Sequence, residues 1–327
     1  AGMYAAGVVG PLHQMLAPVM PYRAFGNGSD PARGTFFRSD AISLLFVPST
    51  ASQATLSAPM LPGALDISLE SSATCPSATM AQICGLTAGD QLLVFEREGA
   101  WEVFTVEQVG AGASLTLRGS PPPRGFSMAA NVTEVRAVTY SLKADPTSGA
   151  FQLIRADGFD PALPLLDHVV KLEFYYYGDP RPPRVLDDAE APLRVSYGPA
   201  PPPIEQPLTG WAAGENCTFA RVDGSYQPRL AALAASTALV EITPALLTDG
   251  PWCPDATAGN RFDADLLRIR RVRFSLRVQT ALESLRGPAS ALFMRGGLAR
   301  AASRYVPDLE IQFDVSPRNL NLERGSP

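Results

Sequence analysis

Between Arg261 and Thr280 the chain reads RFDADLLRIRRVRFSLRVQT. From Val272 on, apolar residues take alternate positions: Val272, Phe274, Leu276 and Val278. Arg273, Ser275, Arg277 and Gln279 lie between them. A period of two predicts a β-strand with one buried and one wet face. Upstream, Leu267 and Ile269 keep the alternation with opposite parity. Both halves can bury one face only if an extra residue is absorbed near Arg270 and Arg271, which is what a β-bulge does. Arg268, Arg270, Arg271, Arg273 and Arg277 are then expected on the outer face. His168 to Tyr177, HVVKLEFYYY, supplies a neighbour strand with Val170, Leu172, Phe174 and Tyr176 on one side. The two stretches are expected to pair as central strands of one antiparallel sheet.

The same alternation predicts strands at residues 39–47, 65–70, 131–143 and 150–156, and a last one over PDLEIQFDVS, residues 307–316. GDQLLVFEREG, WEVFTVEQV and SLTLRG read as a small meander, with turns at Glu98-Gly99 and Gly110-Ala111-Gly112. Pro121-Pro122-Pro123 cannot continue a ladder and makes a natural boundary. Residues 1–123 are therefore read as a loop-rich and β-meander lobe, and 124–327 as a second β lobe packed against it. Residues 1–38 read as irregular chain, and 178–210 as a long proline-rich loop with one short strand, LRVSY. Residues 226–247 hold the best helical material. Leu230, Leu233 and Ala234 give a short amphipathic spacing, and TPALLTDG has Thr243 as a cap and Pro244 at the first position. The expected class is α+β and β-dominated, with few short helices.

Composition narrows the function classes. The chain has 327 residues, 46% of them hydrophobic, with 31 prolines, 27 glycines and a net charge of -5. That suits a turn-rich β body and argues against a general nucleic-acid binder, which is usually basic. No stretch is long and apolar enough to span a membrane; Pro11, Pro18 and Pro21 break the most apolar one.

Catalytic chemistry finds little to stand on. The two histidines are His13 and His168. Asp167 adjoins His168, but neighbours on a strand point to opposite faces, so a structural histidine is expected. No nucleophile elbow, phosphate loop or dinucleotide fingerprint is present. No catalytic or cofactor-binding residue is assigned, and the protein is read as non-enzymatic. Asp249, Asp255, Asp263 and Asp265 form the one acidic cluster dense enough to hold a cation such as calcium. Their spacing lacks the EF-hand pattern, so a solvated loop beside the arginines is expected and no metal ligand is assigned. The arginine face could read as a strip for DNA, but Glu173 on the adjacent strand predicts cross-strand ion pairs instead. Asn131-Val-Thr133 and Asn216-Cys-Thr218 match the short glycosylation sequon.

The stretches LLDHVVKLEFYYYGD, DGPW, DADLLRIRRVRFSLRVQ and VPDLEIQFDVSPRNLNL together resemble PilW-type minor pilins of type IV pili. These are cousins of the J-type minor pseudopilins of type II secretion. Ala1-Gly2-Met3-Tyr4 is similar to the segment that follows the N-terminal helix of such proteins. The resemblance implies a pilin-like antiparallel sheet carrying the meander as an insertion. It also implies a hydrophobic helix just before Ala1 that anchors the chain in the inner membrane and packs in the filament core. The headpiece would be periplasmic and then extracellular, at or near the filament tip, with other minor and major pilins as partners. Some pseudopilins bind calcium in a C-terminal loop. The even count of cysteines and the oxidising compartment implied here suit two disulfides. Three connectivities are open, and Cys75–Cys84 with Cys217–Cys253 keeps each bridge local. A reading from another class, a secreted β-rich binding module such as an adhesin or a sugar- or DNA-binding head, fits the same composition.

Overall fold

The alternating stretches become strands of one thirteen-stranded antiparallel sheet. The computed structural model describes residues 17–22, 37–48, 53–70, 82–96, 101–119, 121–122, 125–144, 150–157, 161–186, 193–203, 205, 210–256, 261–300 and 304–317. From one end, the order is Leu309–Val315, Ile269–Val278, Leu163–Gly178, Phe151–Asp157, Asn131–Ala144, Gln91–Phe95, Trp101–Val109, Ser114–Arg118 and Asp66–Ser68. Shorter strands add to this path. Ala41–Phe46 and Gln53–Thr55 both pair with Asn131–Ala144, Val19–Met20 pairs with Ala41–Phe46, and Val240–Ile242 pairs with the end of Leu163–Gly178.

Asn131–Ala144 joins the two halves. Asn131 to Val135 pair with Gln91–Phe95, and Val138 to Ala144 pair with Phe151–Asp157. Two apolar cores result. Leu92, Val94, Phe104, Leu115 and Val132 meet Leu56, Ile83 and Leu86 in the smaller one. Leu93, Trp101, Val103 and Val135 instead enter the larger one, with Tyr176, Ile242, Phe262, Leu266 and Ile269. Gln91–Phe95 thus buries both faces, which is why Leu92 to Phe95 is a continuous apolar run and buried Gln91 is tied to the Ala137 backbone. Ala17, Val19, Met20 and Tyr22 pack in the larger core as well.

The expected bulge is present. Tyr176 pairs with Val272, Tyr177 with Arg271 and Gly178 with Ile269, so Arg270 is the extra residue. Ile269 and Val272 are both buried. The strand starts two residues later than the pattern suggests, because Leu267 lies in a 3-10 turn, Ala264–Arg268. A second bulge went unforeseen. Val169 pairs with Val278 and Lys171 with Arg277, so Val170 is extra, and Val169 and Val170 are both buried. His168 beside it takes a left-handed φ of 57°.

The helical expectation for 226–247 fails. Among the described residues no α-helix occurs, and the named helical elements are the 3-10 turns Ala264–Arg268 and Glu283–Leu285. Competing partners explain this. The Leu233 amide donates to the Pro180 carbonyl at 2.7 Å and the Arg229 amide to Thr218 at 2.8 Å, and Leu230 is drawn into the core. A run of about eight residues is too short to form a stable helix against such partners. TPALLTDG makes one turn, in which the Leu247 amide reaches Thr243 at 3.2 Å. Here tertiary contacts outvote alanine's propensity.

Candidate functional site

The last three strands of the sheet form its most unusual region. Val272, Phe274, Leu276 and Val278 sit opposite Val315, Phe313, Ile311 and Leu309 on one face. Three aromatic rings run across it. Phe174 lies 6.4 Å from Phe274, and Phe274 lies 5.2 Å from Phe313, between ring centroids. Phe174 is buried, Phe274 is half-buried and Phe313 is 54% exposed. Leu309 and Val315 flank Phe313 at 61% and 49% exposure. The apolar face that is core at Tyr176 therefore runs out into solvent at the edge strand.

The opposite face is a closed charge network. Arg273 makes a two-pronged contact with Asp314 at 2.8 and 3.1 Å, and Arg271 approaches the same carboxylate at 4.0 Å. The Arg271 and Arg273 guanidinium groups also lie over the Tyr177 ring, at 4.6 and 5.3 Å respectively. Arg277 pairs with Asp308 at 3.0 Å. The Arg273 hydrogen bond holds Asp314 below the usual carboxylate range. Burial opposes ionisation of Glu173, but hydrogen bonds from Tyr175 and Lys171 outweigh it and lower its pKa. Donating that bond to the Glu173 carboxylate pushes Tyr175 up to about 12. The arginines' partners thus come from the last strand and the residue before it, and Glu173 binds Lys171 at 3.0 Å.

Two of the five arginines are not on a wet face. Arg268 and Arg270 are both buried. Arg268 pairs with Asp265 and donates to the carbonyls of Asp179, Arg181 and Ala231 at 3.3, 3.2 and 2.6 Å. Arg270 donates to the carbonyls of Leu267 and Ile269 at 2.8 and 2.9 Å and lies over Tyr197. The 3-10 turn and the bulge rotate these two positions inward, which period-two counting cannot register.

The acidic cluster is also not a solvated loop. Asp263 and Asp265 are buried, and their carboxylates lie within 4.8 Å of each other and of exposed Asp249. Asp255 is outside this group. Asp263 caps the 3-10 turn by accepting from the Asp265 amide at 2.9 Å, and it accepts from the Gly250 amide at 2.6 Å. Burial raises its pKa to about 7 despite these bonds, with the charges of Asp265 and Asp249 pushing the same way. Burial also raises Asp265, with Arg268 opposing. The cap and the ion pair give both buried carboxylates a structural role.

Cys217 and Cys253 form a disulfide, both fully buried. Cys84 is disulfide-bonded, and Cys75 lies outside the described residues. His13 also lies outside them. Asp167 turns away from His168 to accept from Gln152 on the neighbouring strand at 2.8 Å. Asn216 is buried and fully engaged. It donates to the Pro199 and Ala200 carbonyls and accepts from the amides of Thr218 and Phe219. That excludes it as a glycan acceptor in the folded chain. Among the described residues no helix is long and apolar enough to cross a membrane. An apolar groove on one face of the sheet, partly filled by residues 1–25 or open to solvent, is what packing on a preceding helix implies. Its opening at the last strand was not foreseen, because clean alternation in LEIQFDV predicts a buried face, and among the described residues no element covers it. No family model, curated protein or solved structure matches the chain.

Proposed function

We propose that the chain is the headpiece of a PilW-like minor pilin or minor pseudopilin, a structural subunit at or near the tip of a filament that it helps to prime. The observation that supports this most is the apolar face that runs from half-buried Phe274 out to exposed Leu309, Phe313 and Val315, next to the larger core. A monomeric protein rarely leaves such a contiguous patch uncovered. In a pilin-like subunit a helix preceding Ala1 would lie on the sheet and cover part of that face. The same helix would anchor the subunit in the inner membrane and carry it into the filament, beside other pilins. The sequence resemblance supplies the rest of this reading.

The test begins with the gene. Upstream of Ala1 the reading requires a short basic leader followed by about 20 apolar residues with an early glutamate. A plain cleavable signal peptide there would favour the secreted binding module. In the source cell, deleting the gene should lower the number of assembled filaments, and unchanged filament assembly would overturn the priming role.

A further inference from the structure

The edge strand Leu309–Val315 has a second unused feature, its backbone. Ile269–Val278 pairs with one side of it, and among the described residues no strand pairs with the other. Alternate residues of an antiparallel edge point their N–H and C=O groups outward. Natural edges are usually blunted by shortness, proline, lysine or a bulge. The far end of this sheet follows that rule, since Asp66–Ser68 is three residues long. Leu309–Val315 is seven residues long, LEIQFDV, with no proline, lysine or bulge, and its only edge charges are the acids Glu310 and Asp314, which repel an acidic strand but not a basic one. Half of the exposed large apolar side chains among the described residues, eight of sixteen, fall between Leu282 and Val315.

Charge identifies what would fit. The basic side chains near this strand stand on its inner side, where Arg273 and Arg277 hold Asp314 and Asp308. The strand itself offers Glu310, Gln312 and Asp314 at its polar positions, and the two acids remain 39% exposed. A second copy is a poor partner. The fullest antiparallel overlap, centred on Gln312, sets Glu310 opposite Asp314, and like charges facing each other across a ladder are unfavourable. A strand with lysine or arginine at those positions would instead extend the row of opposite charges outward. Its alternate apolar residues would widen the face formed by Leu309, Ile311 and Phe313.

We infer that Leu309–Val315 is a docking edge that accepts an extended segment of another polypeptide, alternating apolar with basic residues, as an added antiparallel or parallel strand. The inference stands whether or not the chain belongs to a filament.

The probe is a fluorescein-labelled synthetic peptide alternating valine with lysine, titrated with the intact chain and followed by anisotropy. It should bind at least about tenfold more tightly than the same peptide alternating valine with glutamate, since two opposed charge pairs separate them. Glu310→Gln, which removes the charge but keeps an acceptor for the Ser275 hydroxyl, should narrow that preference, and its thermal melt shows that the variant is folded. Two further peptides carry N-methyl groups on one or the other set of alternate residues. A docked strand uses one edge only, so one set should abolish binding and the other should leave it. Binding that survives both sets, or is lost with both, overturns the inference, as does absence of binding or an equal affinity for the glutamate peptide. Sedimentation that shows a dimer displaced by the valine–lysine peptide would assign the edge to a second copy and likewise overturn it.

Discussion

Gly178 and Arg268 meet backbone to backbone: a Cβ on Gly178 would lie 2.7 Å from the Arg268 carbonyl oxygen and 2.9 Å from its carbon. The Asp179 amide donates to that same oxygen at 3.1 Å. This contact forms where the bulge at Arg270 lets the end of one strand slide under the 3-10 turn of the other. Because the obstructing atoms are backbone, Gly178→Ala cannot be relieved by a rotamer change. It should destabilise the fold by about 1–3 kcal/mol. Urea unfolding checks this: the midpoint should fall with an unchanged slope. A midpoint equal to wild type would mean that the close approach is not needed.

Arg268 fastens three separate segments through its guanidinium group: the strand end at Asp179 and Arg181, the loop at Ala231, and its own turn at Asp265. Arg268→Ala leaves Asp265 as a buried, unpaired carboxylate and three carbonyls short of a donor. The expected cost is about 3–5 kcal/mol. Arg268→Lys keeps the charge but loses the planar fork, so it should still be clearly destabilised. Thermal melts of the two variants against wild type decide this, and equal stability of the lysine variant would show that charge alone suffices.

Stability should fall as pH rises from about 4 to about 7. Asp263 titrates near 7 in the folded chain, whereas an unfolded aspartate titrates near 3.9. Between those values the native state holds a proton that the unfolded state has released. The native state therefore binds more protons, and by linkage its stability declines with increasing pH until the loss is complete above about 7. The raised Asp265 acts in the same direction. In Asp263→Asn the decline should be shallower, at the cost of one of the two amide acceptors. Denaturation midpoints at pH 5 and pH 8 test this, and a rise toward pH 8 in wild type would contradict it.

The Cys217–Cys253 bridge closes a loop with a sequence separation of 36 residues. Loop-closure entropy for that length corresponds to about 4 kcal/mol. Replacing both cysteines by serine should lower stability by roughly that amount. Both sulfurs are buried, so mild reductant should leave the native bridge intact and cleave it only after denaturant is added. Thiol titration with and without denaturant separates these outcomes. Rapid labelling of the native protein would place the bridge nearer to solvent than the fold does.

The strands were legible because alternation is a local property. The stretch Val272 to Val278, the run Asn131 to Lys143 and the ending LEIQFDV each show a period of two, and any sheet that pairs them must use one face. Even the bulge at Arg270 followed from sequence, since the parity change between Ile269 and Val272 permits no other way to bury both. What tertiary structure alone decided is which polar groups go inside and which apolar ones stay out. Arg268 and Asp265 are ordinary surface residues by type, and they are buried here because each satisfies the other and nearby carbonyls supply the remaining acceptors. Residues 226–247 have helical propensity, yet Pro180 and Thr218 capture amides that a helix would have used. Phe313 carries the same pattern as buried Phe174. It is exposed because burial depends on what lies across from a side chain, and that neighbour is not encoded in the alternation of its own strand.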